Sequence, residues 1–365
     1  MKRIGRMIIK TTCFILLLSA AWLSVQNLVS YKWDIRERLY DRYRHFEAEP
    51  EGSVDILFSG SSPVNGGINP VIVYNEIGAT GYNFGGTHKT AFCSYYELKY
   101  AFKHHVPDLL VLDLADIHIR KAPTDDSGWE TAYRKYIENI PDPLIRLEMT
   151  LAYQKEFKEN QVLNHLFPLL RYHERWKELT KDDYKPNPFH YEGYEDFVKG
   201  TYMNPHTVNL NGANAFSDEE VVPASDLSLR YYDKILDMCK KHGVEVMIVV
   251  VPKLKMHPSQ MADAVEYAQK NNLNVLYYPN KEAFNAIGIS EADSFYNVGH
   301  LNVRGQVPYS RAVAAAIKEW YDLEDHRGDP AYAAWDEAYD QYVDKYRGQT
   351  QRDGKDLLQN ESDSN

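Results

Sequence analysis

The chain has 365 residues, with 41 basic against 52 acidic side chains and a formal charge of −11. That length can bury one large core, with or without an inserted subdomain, and the acidic balance argues against nucleic acid or another polyanion as the ligand of the chain as a whole. The three cysteines, Cys13, Cys93 and Cys239, show no Cys-x-x-Cys or Cys/His ligand spacing, so no structural zinc site, and no other metal or cofactor, is expected. Cys93 and Cys239 read as two reduced core thiols, although a disulfide between them is compatible with an oxidising compartment. The 28 tyrosines fit carbohydrate-stacking surfaces and tyrosine-rich cores equally well.

Lys2, Arg3, Arg6 and Lys10 precede an uncharged run over residues 13–23. Counted over residues 7–29, the apolar stretch is about one bilayer span, with Lys10 near one end able to snorkel. The basic flank predicts a cytoplasmic N-terminus and everything after residue 30 outside. A cleaved signal peptide with Ser19-Ala20-Ala21 at the cut is the rival, but apolar character continues through Trp22, Leu23, Val25 and Leu28. Residues 1–30 are therefore expected to be a transmembrane anchor, and 31–50, where charges mix at helical spacing, a solvated helical stalk.

A domain is expected over residues 51–322. Val54, Ile56, Leu57 and Phe58 form a short β-rich run of the kind buried on both faces of a sheet. Gly60 turns the chain, and Ser61 and Ser62 come next, where a helix should start. A serine there is a nucleophile or an N-cap, and Pro63 suits the first helical position in either case. A short helix ending near Gly78, a brief strand and glycine turn at 81–86, a helix over 90–105 and a strand over 109–114 come next. Helices over 227–242 and 258–271 alternate with strands over 244–251 and 274–278, and an amphipathic helix over 306–320 closes the pattern. Alternation of this length specifies an α/β domain with a parallel sheet of five strands. Residues 123–226 break the alternation and read as a mostly helical, aromatic insertion, a lid or substrate-binding subdomain over the strand ends. Its densest polar-aromatic cluster, residues 167–176, reads as a structural helix pinned by Arg and His hydrogen bonds. Beyond 322, residues 323–365 are polar, with one more helix over 332–346 and disorder expected from 347 onward.

The block around Ser62 and the distant run Asp293-Ser-Phe-Tyr-Asn297-Val-Gly-His300-Leu-Asn302 together resemble the SGNH (GDSL-type) hydrolase superfamily, and within it the membrane-tethered bacterial branch associated with envelope O-acylation. The resemblance covers about residues 50–322. It implies a three-layer, flavodoxin-like order and an extracellular serine esterase or O-acyltransferase anchored in the cell membrane. The substrate would be acyl groups, acetyl above all, on cell-envelope or exported glycans, and a membrane-bound O-acyltransferase an implied partner. It implies Ser62 as nucleophile, His300 as base, and Gly85 or Gly86 beside the Ser62 N–H in the oxyanion hole, with Asn83 or Asn65 as a further amide donor. Pro63 has no N–H, so the residue after the nucleophile cannot serve there.

The chain departs from the family in two places. The triad aspartate, expected three residues before the histidine, is Asn297, which leaves Asp293 or a backbone carbonyl as other orienting groups. The third-block asparagine has no counterpart after the 109–114 strand, where the sequence reads Asp113-Leu-Ala-Asp116-Ile-His118. These departures motivate a second reading, a catalytically degenerate accessory protein that binds glycan or a membrane acyltransferase. A phosphate-binding turn at Gly60-Ser61-Ser62 is the third, and it lacks both the glycine-rich fingerprint and the P-loop lysine.

Overall fold

Five short strands set the architecture: β1 Ile56–Ser59, β2 Gly81–Asn83, β3 Leu109–Asp113, β4 Glu245–Val249 and β5 Asn274–Leu276. In the computed structural model, which describes residues 2–31, 39–118, 129–158, 162–185, 195–211, 223–254, 256, 258–352 and 355–358, they form one sheet in the order β2-β1-β3-β4-β5. Every pairing is parallel, with Leu57 opposite Tyr82 on one side and Leu110 on the other. All residues of β1, β2 and β3 are buried, so the sheet is covered on both faces. Ile56, Phe58, Val111 and Val249 pack with Val64 and Ile68 and with Val313 and Ile317 of the Val303–Trp320 helix. Period two sends Leu57, Leu110, Leu112 and Ile248 to the opposite face, where they too are fully buried. Helices Ala91–His104 and Asp226–His242, which pack against each other through Phe92 and Tyr231 (4.9 Å), serve that face.

The chain divides into two compact units, Met1–Asp41 with Arg134–Tyr194, and Arg42–Tyr133 with Glu195–Asn365. In the first, the Lys2–Val29 helix contains a stretch, Arg3–Val29, long and apolar enough to cross a bilayer, its most apolar 18-residue window having mean hydropathy 1.9 and no buried residue. Arg175 donates from Nη1 to the carbonyls of Val29 (2.7 Å) and Ser30 (2.9 Å), groups that a helix end leaves without intrahelical partners, and from Nη2 to Asp183 (2.7 Å). Tyr172 donates to Glu138 (2.9 Å). Arg175 thus pins the 167–176 cluster as expected, whereas His173, among the described residues, bonds only within it, to the Leu170 carbonyl (2.9 Å), and the segment is a short α-helix, Pro168–Tyr172, followed by a 3-10 turn rather than one helix. The insertion is not one body, however: Arg134–Tyr194 groups with the N-terminal segment, whereas Glu195 onward belongs with the sheet.

Two further expectations are corrected. The segment expected as a solvated stalk contains the Leu39–Ala48 helix, in which Tyr43 and Phe46 are 0 % exposed; residues 32–38 lie outside the described chain. Phe46 meets Tyr82 (5.2 Å) and Phe84 (4.7 Å) edge-on, so aromatic burial outweighs the charged neighbours that suggested a solvated face. The tail expected to be disordered from 347 onward instead packs on the domain. After the Ala333–Tyr346 helix it forms a small hairpin, Gln351–Arg352 with Lys355–Asp356, and Leu358 joins a cluster with Ile72, Val303, Val307 and Tyr342. Residues 359–365 lie outside the described chain. Cys93 and Cys239 are buried free thiols, each pushed up to about 12 by burial.

Beside β2 lies a buried ionic group. Lys89 and Glu97, both 0 % exposed, form an ion pair. Lys89 also donates to the Phe84 carbonyl, Tyr43 donates to Glu97 (2.9 Å), and Arg42 donates to the Gly85 carbonyl (2.5 Å). Burial depresses the basicity of Lys89, and Glu97 works against that depression. Removing one partner strands a buried charge, which costs about 3–5 kcal/mol, whereas an apolar replacement of both costs far less. Glu97→Gln should therefore lower stability by about that amount in denaturant unfolding of the detergent-solubilised chain, and the Lys89→Met/Glu97→Leu double variant should recover most of it. Equal losses in the two would refute the ionic account.

Candidate active site

The carboxyl ends of β1 and β3 meet with almost no space between them. A Cβ on Gly60 would lie 2.5 Å from Val64 Cγ2 and 2.7 Å from Asp113 Cβ. Close approach, rather than an unusual backbone angle, is what requires glycine here. Ser61 then takes the N-cap position of the Ser62–Gly67 helix, but its hydroxyl makes no capping bond. It donates instead to Asp116, just past β3. Asp116 also accepts from Lys253 Nζ (2.6 Å), which lies just past β4. In open α/β sheets the crevice where strand order reverses, here between β1 and β3, is where ligands collect.

Ser62 opens the helix. Its Oγ lies 2.7 Å from His300 Nε2, across 238 residues of chain. His300 is half-buried on a two-stranded turn, Phe295–Asn297 against His300–Leu301. Its Nδ1 lies 2.8 Å from Asn297 Oδ1. The same oxygen accepts the Gly299 N–H (2.9 Å), an unambiguous donor, so the amide presents its oxygen to the ring. Nδ1 must then carry the proton, and Nε2 is left with its lone pair toward Ser62. Tyr296 stacks on the imidazole (5.2 Å, 13°). Burial holds His300 below its ordinary 6.5, Lys253 and His88 add to that depression, and Asp116 opposes it. The ring is therefore neutral at pH 7, the state in which it can take a proton.

Asn302, at the C-terminal side of the hairpin, holds it in place. This residue caps the Val303–Trp320 helix, its Oδ1 accepting from Arg304 N (3.0 Å) and Gly305 N (3.2 Å), while its Nδ2 donates to the carbonyls of Asp293 (2.8 Å) and His206 (3.2 Å). The segment around residue 202 wraps the same region, Tyr202 N donating to Asn65 O (2.8 Å) and Val208 N to Phe295 O (3.0 Å).

Ser62, His300 and Asn297 are thus brought together, whereas other predicted residues are engaged elsewhere. Asp293 is not the orienting acid: Arg352 clamps its carboxylate from Nε (2.7 Å) and Nη2 (2.8 Å). Asn83 spends its amide on its own loop, donating to Val64 O (2.9 Å) and Ile68 O (2.7 Å) and accepting from Gly85 N (2.6 Å). Gly86 N donates to Gly60 O (3.2 Å). The expected oxyanion donors Asn83, Gly85 and Gly86 are consequently corrected to structural roles, because the loop needs their donors to close on itself. The Ser62 N–H makes no hydrogen bond among the described residues. Asn65, three residues on and so on the same helix face, has a buried Oδ1 with no partner there. Asn83 thus leaves the site without its amide, and Asn65 is the amide residue within the serine's own helix turn.

Sequence reasoning missed Lys253 altogether and met Asp116 only as part of an unmatched motif. Their position just past adjacent strands is the signal that was available. Asp113, beneath them, is pushed up to about 7 by burial, with Asp116 adding and Lys253 opposing. No protein-family model matches the chain, and no curated protein matches it in sequence.

Because Asn297 brings no charge to the imidazole, Asn297→Asp should raise the His300 pKa, by about 1–3 units for a carboxylate in hydrogen-bond contact. The ring-proton shifts of His300, titrated by NMR, measure this directly. An unchanged value would mean that residue 297 does not face the ring in solution.

Proposed function

We propose that this chain is a membrane-anchored, extracytoplasmic serine esterase or O-acyltransferase of the SGNH type, acting on acyl groups, chiefly acetyl, of cell-envelope or exported glycans. The observation that carries the reading is the 2.7 Å approach of Ser62 Oγ to His300 Nε2, with the ring's other nitrogen oriented by Asn297. The strand order β2-β1-β3-β4-β5 supports it as well, since it is the flavodoxin-like order that the family resemblance implies. The apolar N-terminal helix and its basic flank support a single-pass anchor with the catalytic unit outside.

Under this reading Ser62 Oγ attacks the acyl carbonyl while its proton passes to His300 Nε2. The tetrahedral oxyanion is held by the Ser62 N–H and the Asn65 amide. Collapse breaks the ester bond, and His300 returns the proton to the departing alcohol, leaving the acyl group on Ser62. Water or a sugar hydroxyl then repeats the sequence in reverse, its proton taken by His300 and finally returned to Ser62. Asn297 fixes the tautomer but cannot neutralise the imidazolium formed at each proton transfer.

That last point favours one competing reading, an accessory protein that keeps the fold without turnover. A fluorophosphonate probe separates the two. The wild-type chain should be labelled, Ser62→Ala should not, and His300→Ala should slow labelling by about 10²–10⁴-fold, the usual contribution of a general base. The rate should rise with pH and reach half-maximum below pH 6.5, because the base is the neutral imidazole and its pKa lies under that ordinary value. No labelling at pH 8, under conditions that label a known serine esterase, would favour the accessory protein.

A further inference from the structure

The geometry assigns the hydrogen-bonded chain Ser61–Asp116–Lys253 a positioning role: it sets the basicity of His300 from the nucleophile's side of the site, the side opposite Asn297. This rests on the proposed acyl-transfer reading for its catalytic consequence, though not for its test. Ser61 gives up helix capping to bind Asp116, and Asp116 is shared between that hydroxyl and Lys253 Nζ at 2.6 Å. Lys253 is only 12 % exposed and Asp116 26 %, so neither charge is fully screened by water. Desolvation opposes the charge on Asp116, but Lys253, Ser61 and the neighbouring His300 outweigh it and hold the carboxyl below its usual range. The pair stays ionised next to the residue that precedes the nucleophile.

Among the described residues, Tyr296 stacks on the His300 ring and Asn297 bonds its Nδ1, while Ser62, bonded to Nε2, directly follows Ser61 and so brings the Asp116–Lys253 pair to the ring's other edge. Lys253, Asp116 and His88, from the turns after β4, β3 and β2, are the charged or titratable groups whose fields reach the ring. Asn297 is neutral, and burial pushes the Tyr296 hydroxyl up to about 12, so it carries no charge at neutral pH. The fixed charges are therefore Lys253 and Asp116, and they act on the ring with opposite sign. A cation near the ring disfavours imidazolium, and an anion favours it. In a triad with aspartate, the charge that tunes the base also orients it. Here the two duties are divided, orientation falling to a neutral amide and tuning to an ion pair anchored on different strands.

The test is the NMR titration of His300 in the full chain, solubilised in detergent, with its resonance assigned through His300→Gln. Asp116→Asn leaves the lysine cation unbalanced and should lower the His300 pKa. Lys253→Met leaves the carboxylate unbalanced and should raise it. Each shift should be about 0.5 unit or more, a modest value for a nearby charge. Lys253→Arg, which keeps the cation, should restore the wild-type value, and Ser61→Ala should move it less than either charge change. Shifts of the same sign, or none in either variant, overturn the assignment, since misfolding or loosening alone would not produce opposite directions. The acid limb of Ser62 labelling should follow the same two displacements. If the titrations move as stated and Ser62 is never labelled, the tuning stands and the acyl-transfer reading falls.

Discussion

The site exists because a buried set of amides ties the serine's helix, and the turn after it, to the Val303–Trp320 helix that follows the histidine's hairpin. Asn69, 0 % exposed, donates its backbone N–H to Ser310 Oγ (2.9 Å) and its side-chain amide to Gln306 Oε1 (3.3 Å). Gln306, 1 % exposed, returns a bond from Nε2 to the Gly66 carbonyl (2.9 Å), the last turn of the helix that begins at Ser62. Gly305 in turn lets the segment carrying His300 lie close against the Val303–Trp320 helix, because a Cβ there would overlap the Ser294 carbonyl and lie 2.7 Å from Leu301 Cδ2. A buried polar group without a partner costs about 1–3 kcal/mol, so each member of the latch is stable only when the others are present. Residues 62 and 300 meet as a consequence of this packing. Their own hydrogen bond is partly solvated and too weak to hold two segments in register.

The same economy explains what was legible in the sequence. The parallel sheet was legible because its central strands β1, β3 and β4 are largely apolar runs alternating with helices, and the pairing of Ser62 with His300 because each lies in a recognisable block. The helix around Tyr43 and Phe46 was misread because its charged neighbours dominate the pattern, while the aromatics that bury it, Tyr82 and Phe84, lie some forty residues away. The choice between Asp293 and Asn297 depended on Arg352, which comes from a tail whose composition suggested disorder. The oxyanion donors were misassigned for a different reason. Asn83, Gly85 and Gly86 are adjacent to the site in sequence and in space, but a tight loop consumes its own N–H groups, and only the three-dimensional arrangement reveals which donors remain. Lys253 and Asp116 are 137 residues apart and carry no local signature.

Asn297 and Ser61 can be understood together. Asparagine in place of the triad aspartate costs about 10⁴-fold in a serine protease, where it selects the wrong tautomer. Here the Gly299 N–H, two residues along the same tight turn, claims the Asn297 oxygen and so points it at the ring. The tautomer is therefore set by backbone geometry rather than by charge. Ser61, which makes no capping bond, recruits Asp116 from beyond the next strand, so a carboxylate reaches the neighbourhood of the nucleophile through space.

That exchange has an electrostatic consequence. A triad aspartate supports imidazolium strongly and raises the base's pKa, which favours the proton transfer but leaves more of the enzyme protonated in mildly acidic surroundings. A neutral amide with a remote, lysine-balanced carboxylate gives a weaker base that stays unprotonated further into acid. Under the proposed acyl-transfer reading, such a base trades intrinsic reactivity for a larger fraction of molecules in the unprotonated state. On the proposed extracytoplasmic side of a membrane, where no cytoplasmic buffer fixes the pH, an acyl-transfer site built this way retains its competent protonation state at the expense of peak rate.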